Sequence, residues 1–97
     1  MYDNMIGKNV LIRANKAGVW LGLLLEADGH ILKIEGRRLW SWRGALDCSV
    51  LAVRGPTSAK AGDLTTVVLG PSAEIVEVHA ASEAAAIAVS ALPEWSS

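Results

Sequence analysis

Arg37, Arg38 and Arg43 share ten consecutive positions with Trp40 and Trp42, in the stretch GRRLWSWRGA at residues 36–45. Together these residue types suit an anion that also carries a flat ring. A guanidinium fork matches phosphate oxygens in two parallel hydrogen bonds, and an indole stacks on a base for about 1–3 kcal/mol. Spacing adds to composition. Alternate side chains of an extended chain share a face and stand about 7 Å apart. Arg38, Trp40 and Trp42 then form a platform of one cation and two rings, with Arg37, Leu39 and Ser41 on the other side. A structural role competes for the same residues, because tryptophans anchor the cores of small sheets and arginines lie across their faces.

Other chemistry is sparse. The phosphate-binding patterns GxxxxGK[ST] and GxGxxG are missing, as is the nucleophile elbow GxSxG. Asp47, Cys48 and Ser49 are adjacent, but a catalytic triad needs a base that only His30 or His79 can bring from elsewhere in the fold. Neither histidine has a second ligand-type residue at metal-binding spacing. Cys48 is the sole cysteine, so it forms no internal disulfide and reads as a reduced packing residue. Glu74 and Glu77 read as the acids of a sheet edge, kept there for solubility. The expectation is a non-enzymatic binding protein without metal or cofactor, with Arg37, Arg38, Trp40, Trp42 and Arg43 as its candidate ligand-binding residues.

Charge sets the size of the ligand. The formal net charge is -1, and affinity for a long polyanion grows with the number of phosphates neutralised. Long nucleic acid is therefore a poor fit, whereas a nucleotide-like small molecule needs only two or three cationic contacts. The charge is also polarised. Residues 1–54 carry eight cations against five carboxylates, or +3, and residues 55–97 one against five, or −4. Such polarity attracts an anion to one side or lets two copies meet with opposite charges facing.

The elements that must hold the arginines and tryptophans are mostly strands. Val10 to Lys16 alternates, with Val10, Ile12 and Ala14 opposite Leu11, Arg13 and Asn15. Val19 to Glu26 is apolar on both faces, as a mid-sheet strand would be. Asp28-Gly29 predicts a type I′ hairpin turn into His30–Glu35. Gly36 is expected to interrupt the chain before the extended segment 37–42. Asp47 and Gly55-Pro56 bound a short helix, residues 55–63 read as a loop, and Leu64–Leu69 and Ala73–His79 read as strands, the second at a sheet edge. Ser82 caps a last helix that Pro93 ends.

That helix is apolar on two sides, through Ala84, Ile87, Ala88 and Ala91 and through Ala85, Ala86 and Val89. Burial from both sides is expected, one of them by a second copy in a homo-oligomer. The fold class is α+β, a mainly antiparallel sheet of about five to six strands with two short helices. Residues 1–97 make one domain, with 1–8 as an N-terminal arm and 93–97 as a C-terminal tail. No apolar run reaches the roughly 18 residues of a membrane span, and Met1-Tyr2-Asp3-Asn4 lacks a signal-peptide start. The expected location is the cytoplasm, without membrane partners.

VLIR at 10–13, AGV at 17–19, RRLW at 37–40 continuing through Trp42 to Gly44-Ala45, and the closing Pro93 and Trp95 resemble a family of small phage and prophage proteins of unassigned function. Its members share an Arg-Arg-aliphatic-Trp-x-Trp-x-Gly-Ala core. Here Ser41 stands where an aromatic residue is common, and Leu46-Asp47-Cys48 replaces a more Ser-rich helix start. The resemblance implies a viral setting, in the cytoplasm of a host cell, and no particular reaction. Two functions follow from it as expectations. One is an oligomeric sponge that sequesters a nucleotide-like signal of host defence. The other is a protein–protein interaction module, directed at a host protein or acting as a minor phage structural or accessory component, with no small ligand.

Overall fold

A computed structural model describes residues 2–95. The strands are β1 (Asn9–Ala14), β2 (Gly18–Asp28), β3 (Ile31–Arg43), β4 (Ser58–Ala61), β5 (Thr65–Leu69) and β6 (Ile75–Ala80), and the helices are α1 (Cys48–Arg54) and α2 (Glu83–Ser90). They form one antiparallel sheet in the order β4-β3-β2-β1-β6, with β5 also paired to β3. The class is α+β, as the patterning predicts.

β3 organises the sheet. One edge pairs with β2 from Ile31 to Leu39, while the other pairs first with β5 over Leu32–Gly36 and then with β4 over Leu39–Arg43. Gly36 does not interrupt this strand. It sits opposite Gly22, and a Cβ on Gly36 would lie 2.5 Å from the Leu21 carbonyl oxygen, while one on Gly22 would run into Glu35 and Gly36. The two glycines let β2 and β3 approach more closely than any side chain permits.

Strand alternation fills two cores. Leu11, Leu21 and Leu39 point to the helix side, where they pack with Cys48, Leu51 and Ala52 of α1 and with Ala85 and Val89 of α2. Val10, Ile12, Leu24, Leu32 and Ile34 fill the opposite side with Leu69 and Ala73, and Tyr2, Met5 and Trp20 pack around them. β1 is therefore covered on both faces over the consecutive apolar residues Val10, Leu11 and Ile12, while Arg13 beyond them stays exposed. The segment 1–8, expected as an arm, is docked over its described residues 2–8. Asp3–Met5 forms a 3₁₀ turn, and backbone hydrogen bonds run from Gly7 to the Leu24 carbonyl and from Leu24 to the Lys8 carbonyl. Met1 and residues 96–97 of the expected tail lie outside the described residues.

Several boundaries shift. Asp28 pairs with Ile31, so the hairpin turn is Gly29-His30 rather than Asp28-Gly29. Gly29 has φ +59° and His30 a negative φ, the sign pattern of a type II′ turn with glycine first, not type I′. Residues 55–63, expected as a loop, contain β4. The last strand begins at Ile75, after a 3₁₀ turn at Pro71–Ala73, and lies at the sheet edge.

Both helices have the predicted caps. The Asp47 carboxylate accepts the Val50 N–H at 3.0 Å, and the Ser82 hydroxyl accepts the Ala85 N–H at 3.0 Å while donating to the Val53 carbonyl of α1. α2 is buried along one stripe only. Ala85 and Val89 are sealed in, whereas Ile87 and Ala91, on the other predicted stripe, are exposed.

Candidate functional site

The extended run of β3 sends Arg37 and Arg38 to opposite faces, and they meet different fates. Arg37 pairs with Leu21 in register and enters the helix side, where only 8 % of it remains exposed. Its Nε donates to the Gly62 carbonyl at 2.6 Å, its Nη1 to those of Val89 (2.6 Å) and Leu92 (2.7 Å), and its Nη2 to that of Pro93 (3.3 Å). The carbonyls at a helix C-terminus lack intrahelical partners and carry the negative end of the helix dipole. A desolvated guanidinium is thus held by four carbonyl oxygens and ties α2 and the segment after it to the β4–β5 connection. This corrects the expectation that Arg37 faces a ligand: its fork is occupied by the protein.

Arg38 lies on the other face, opposite Trp20. Its guanidinium crosses Gly18, where a Cβ would fall 2.7 Å from Nε, and its Cζ sits 5.0 Å from the ring centroid of Trp40. That Nε is buried without a hydrogen-bond partner. Trp40 is 47 % exposed and rests on Gly62, the absent side chain of which leaves room for the indole.

The partner of Trp40 is not Trp42. Leu39 pairs with Ala61 and Ser41 with Lys60, so one extra residue is inserted in β3 between them. Beyond such a bulge the alternation is reversed, and Trp42 joins Leu39 on the helix side, half-buried against that core, with Nε1 donating to the Ala45 carbonyl at 3.3 Å. The expected one-faced row of Arg38, Trp40 and Trp42 is broken at this point. Arg43 is exposed at the end of the strand.

A second indole arrives from the other end of the chain. Trp95 lies 5.4 Å from Trp40 between ring centroids, tilted by 52°, and the Lys60 ammonium stands 5.1 Å from the Trp95 ring centroid. Trp95 is held by its backbone N–H, which donates to the Ala61 carbonyl (2.8 Å), and by a parallel bridge between Ala61 and Glu94. The result is a surface row of cation, ring, ring and cation: Arg38, Trp40, Trp95, Lys60. Beside it, a hydrogen bond with Asp63 raises the Glu94 carboxyl above its usual range, reinforced by the mutual repulsion of the two acids. A small cavity of about 250 Å³ is lined by these two acids, Arg37, Leu64, Ser90 and Leu92.

Lys60, Gly62 and Trp95 are the members that patterning misses. Ala59-Lys60-Ala61 does alternate, but over too few residues to stand out as a strand. Trp95 enters the sequence analysis only through the resemblance, since nothing local shows where the tail lands.

A second charged cluster lies on the β1–β6 pair. Arg13 Nη1 bonds Glu77 Oε2 at 2.7 Å, His79 Nε2 contacts Glu77 Oε1 at 2.9 Å, and Lys16 pairs with Glu74 at 2.9 Å. The Arg13 hydrogen bond, followed by that of His79, holds the Glu77 carboxyl below its ordinary range. These edge acids are paired with cations, a more specific role than solubility. Burial pushes the Cys48 thiol up, away from a reactive thiolate. Among the described residues no group of three or more His, Cys, Asp or Glu is arranged to hold a metal ion, and no helix is long and apolar enough to cross a membrane.

Sheet, helices and exposed row define a small α+β protein with an aromatic and cationic surface platform. Residues 7–87 match the family model described as Domain of unknown function (DUF6948), and the chain belongs to that family. No curated protein and no solved structure matches it.

Proposed function

We propose that the protein is a non-enzymatic binder of a nucleotide-like anionic small molecule, held on the face built by Arg38, Trp40, Trp95 and Lys60. One observation carries the reading: two half-exposed indoles 5.4 Å apart are flanked at both ends by a cation. Rings supply faces on which a base stacks, and the cations supply two separate contacts for phosphate oxygens. Arg43 adds positive charge near the end of the same strand. In a phage or prophage setting, such a binder acts as a sponge for a signalling nucleotide of host defence in the host cytoplasm.

Isothermal titration with a panel of linear and cyclic nucleotides tests this. Binding is expected for the parent, with a loss of about 5- to 150-fold for Trp40→Ala, the equivalent of one stacked base. Arg38→Ala and Trp95→Ala weaken it too, without unfolding the protein. If the parent binds no member of the panel, the small-ligand reading fails and an interaction module takes its place.

A further inference from the structure

We propose that the outward face of α1 is the surface through which two copies of this chain pair about a two-fold axis. It is carried by residues separate from the indole row and stands whether or not a nucleotide binds there. Leu46 is 99 % exposed immediately before the helix, and Val53 is 62 % exposed on its last turn. With Ala45, Val50 and Arg54 they line an open groove of about 700 Å³. A protruding leucine beside a concave apolar surface is a knob next to a hole, and large apolar side chains grouped in this way mark contact surfaces.

The arrangement selects a second copy as the occupant, because it is complementary to itself. Leu46 and Val53 lie on either side of Val50, and Asp47 and Arg54 stand at opposite ends of the helix, about 10 Å apart at its rise per residue. When two α1 helices cross antiparallel with Val50 near the axis, Leu46 of each copy meets Val53 of the other, and Asp47 meets Arg54. A two-fold interface requires this reciprocity. The charges are free to take part. Asp47 Oδ1 accepts both the Ser49 hydroxyl and the Val50 N–H, leaving Oδ2 for an outside donor, and Arg54 forms no ion pair among the described residues. The expected site of association, the exposed Ile87 side of α2, has a groove lined by Glu83 and Ser90 but offers no such charge reciprocity.

A contact centred on one short helix falls at the low end of specific interfaces. Sedimentation equilibrium of the whole chain over about 10 to 500 micromolar protein is therefore the measurement. The expected result is a monomer of 10.2 kDa giving way to twice that mass. Leu46→Asp and Val53→Asp, both at exposed positions, hold the protein monomeric with an unchanged circular dichroism spectrum, and Ile87→Asp leaves the association intact. Val50→Cys forms an intermolecular disulfide under mild oxidation, since residues near the axis come within disulfide reach. Ile87→Cys does not, and the buried Cys48 gives no background. A parent that stays monomeric across the range overturns the proposal. So does a dimer that survives Leu46→Asp and Val53→Asp, or one that Ile87→Asp dissociates.

Discussion

Replacing Arg37 by alanine removes the one cation that joins α2, the segment after it and the β4–β5 connection. Three of its four hydrogen bonds, to Gly62, Val89 and Leu92, are 2.6 to 2.7 Å long, and the truncation takes that donor from all three, leaving the Val89 carbonyl only the Leu92 N–H at 3.2 Å. Bonds from a charged donor are worth about 1.5–3 kcal/mol each, and a stranded buried acceptor costs about 1–3 kcal/mol. The losses overlap, and because the acceptors left behind are neutral carbonyls the total is that of about two such bonds, about 3–5 kcal/mol. Against a mid-range total of about 10 kcal/mol for a domain, this is roughly a third to a half of the stability. At about 4–8 °C per kcal/mol for a chain of this size, the melting temperature falls by about 12 °C or more. Arg37→Lys keeps the charge but not the planar fork, and should fall between parent and alanine variant. Urea unfolding gives the midpoint and slope for each, an unchanged slope confirming that stability alone has moved. An alanine variant within about 1 kcal/mol of the parent, or a lysine variant equal to it, refutes the clamp.

Three further outcomes follow. Trp42→Ala should lower stability by about 3 kcal/mol in urea unfolding, the low end for a tryptophan because the ring is half-buried, and leave nucleotide titrations unchanged, the reverse of Trp40→Ala. Gly36→Ala should destabilise strongly in the same assay, because its methyl group meets the Leu21 carbonyl at 2.5 Å, in rigid backbone rather than a flexible side chain. The Glu77 carboxyl is held below the ordinary value near 4.5 by Arg13 and then His79. Its depressed value contributes stability that is present above that value and lost as pH falls through the folded one. Melting temperatures from pH 7 to 3 should therefore drop more steeply for the parent than for Glu77→Gln, and equal slopes would remove the Arg13–Glu77–His79 cluster from the account.

What the sequence reveals, it reveals where the determinant is local. Val10 to Ala14 alternates and forms β1 with the predicted faces, and Asp47, Gly55 and Ser82 mark helix ends by chemistry confined to one turn. The extended course of residues 37–42 is legible for the same reason. Its facing is not, because the extra residue between Leu39 and Ser41 exists only relative to β4, a strand of only four residues. The role of Arg37 is likewise invisible from its neighbours, since its acceptors lie 25 to 56 positions away. Ala85, Val89 and Ile87 show why a helix apolar on two sides cannot be assigned a buried side without the surface that receives it.

The paired glycines of β2 and β3 answer a threading problem that the arginine doublet creates. Two identical cations side by side make the charge pattern blind to a slip of one position, for Arg38 would then occupy the slot beneath α2 as readily as Arg37 does. In that misthreaded sheet, however, Arg37 would stand opposite Gly22, and its Cβ would be driven into the Leu21 carbonyl. The same slip would seat Lys33 and Glu35 in the buried places of Leu32 and Ile34, so the missing side chains and the apolar alternation together decide which arginine is locked indoors and which is left at the surface.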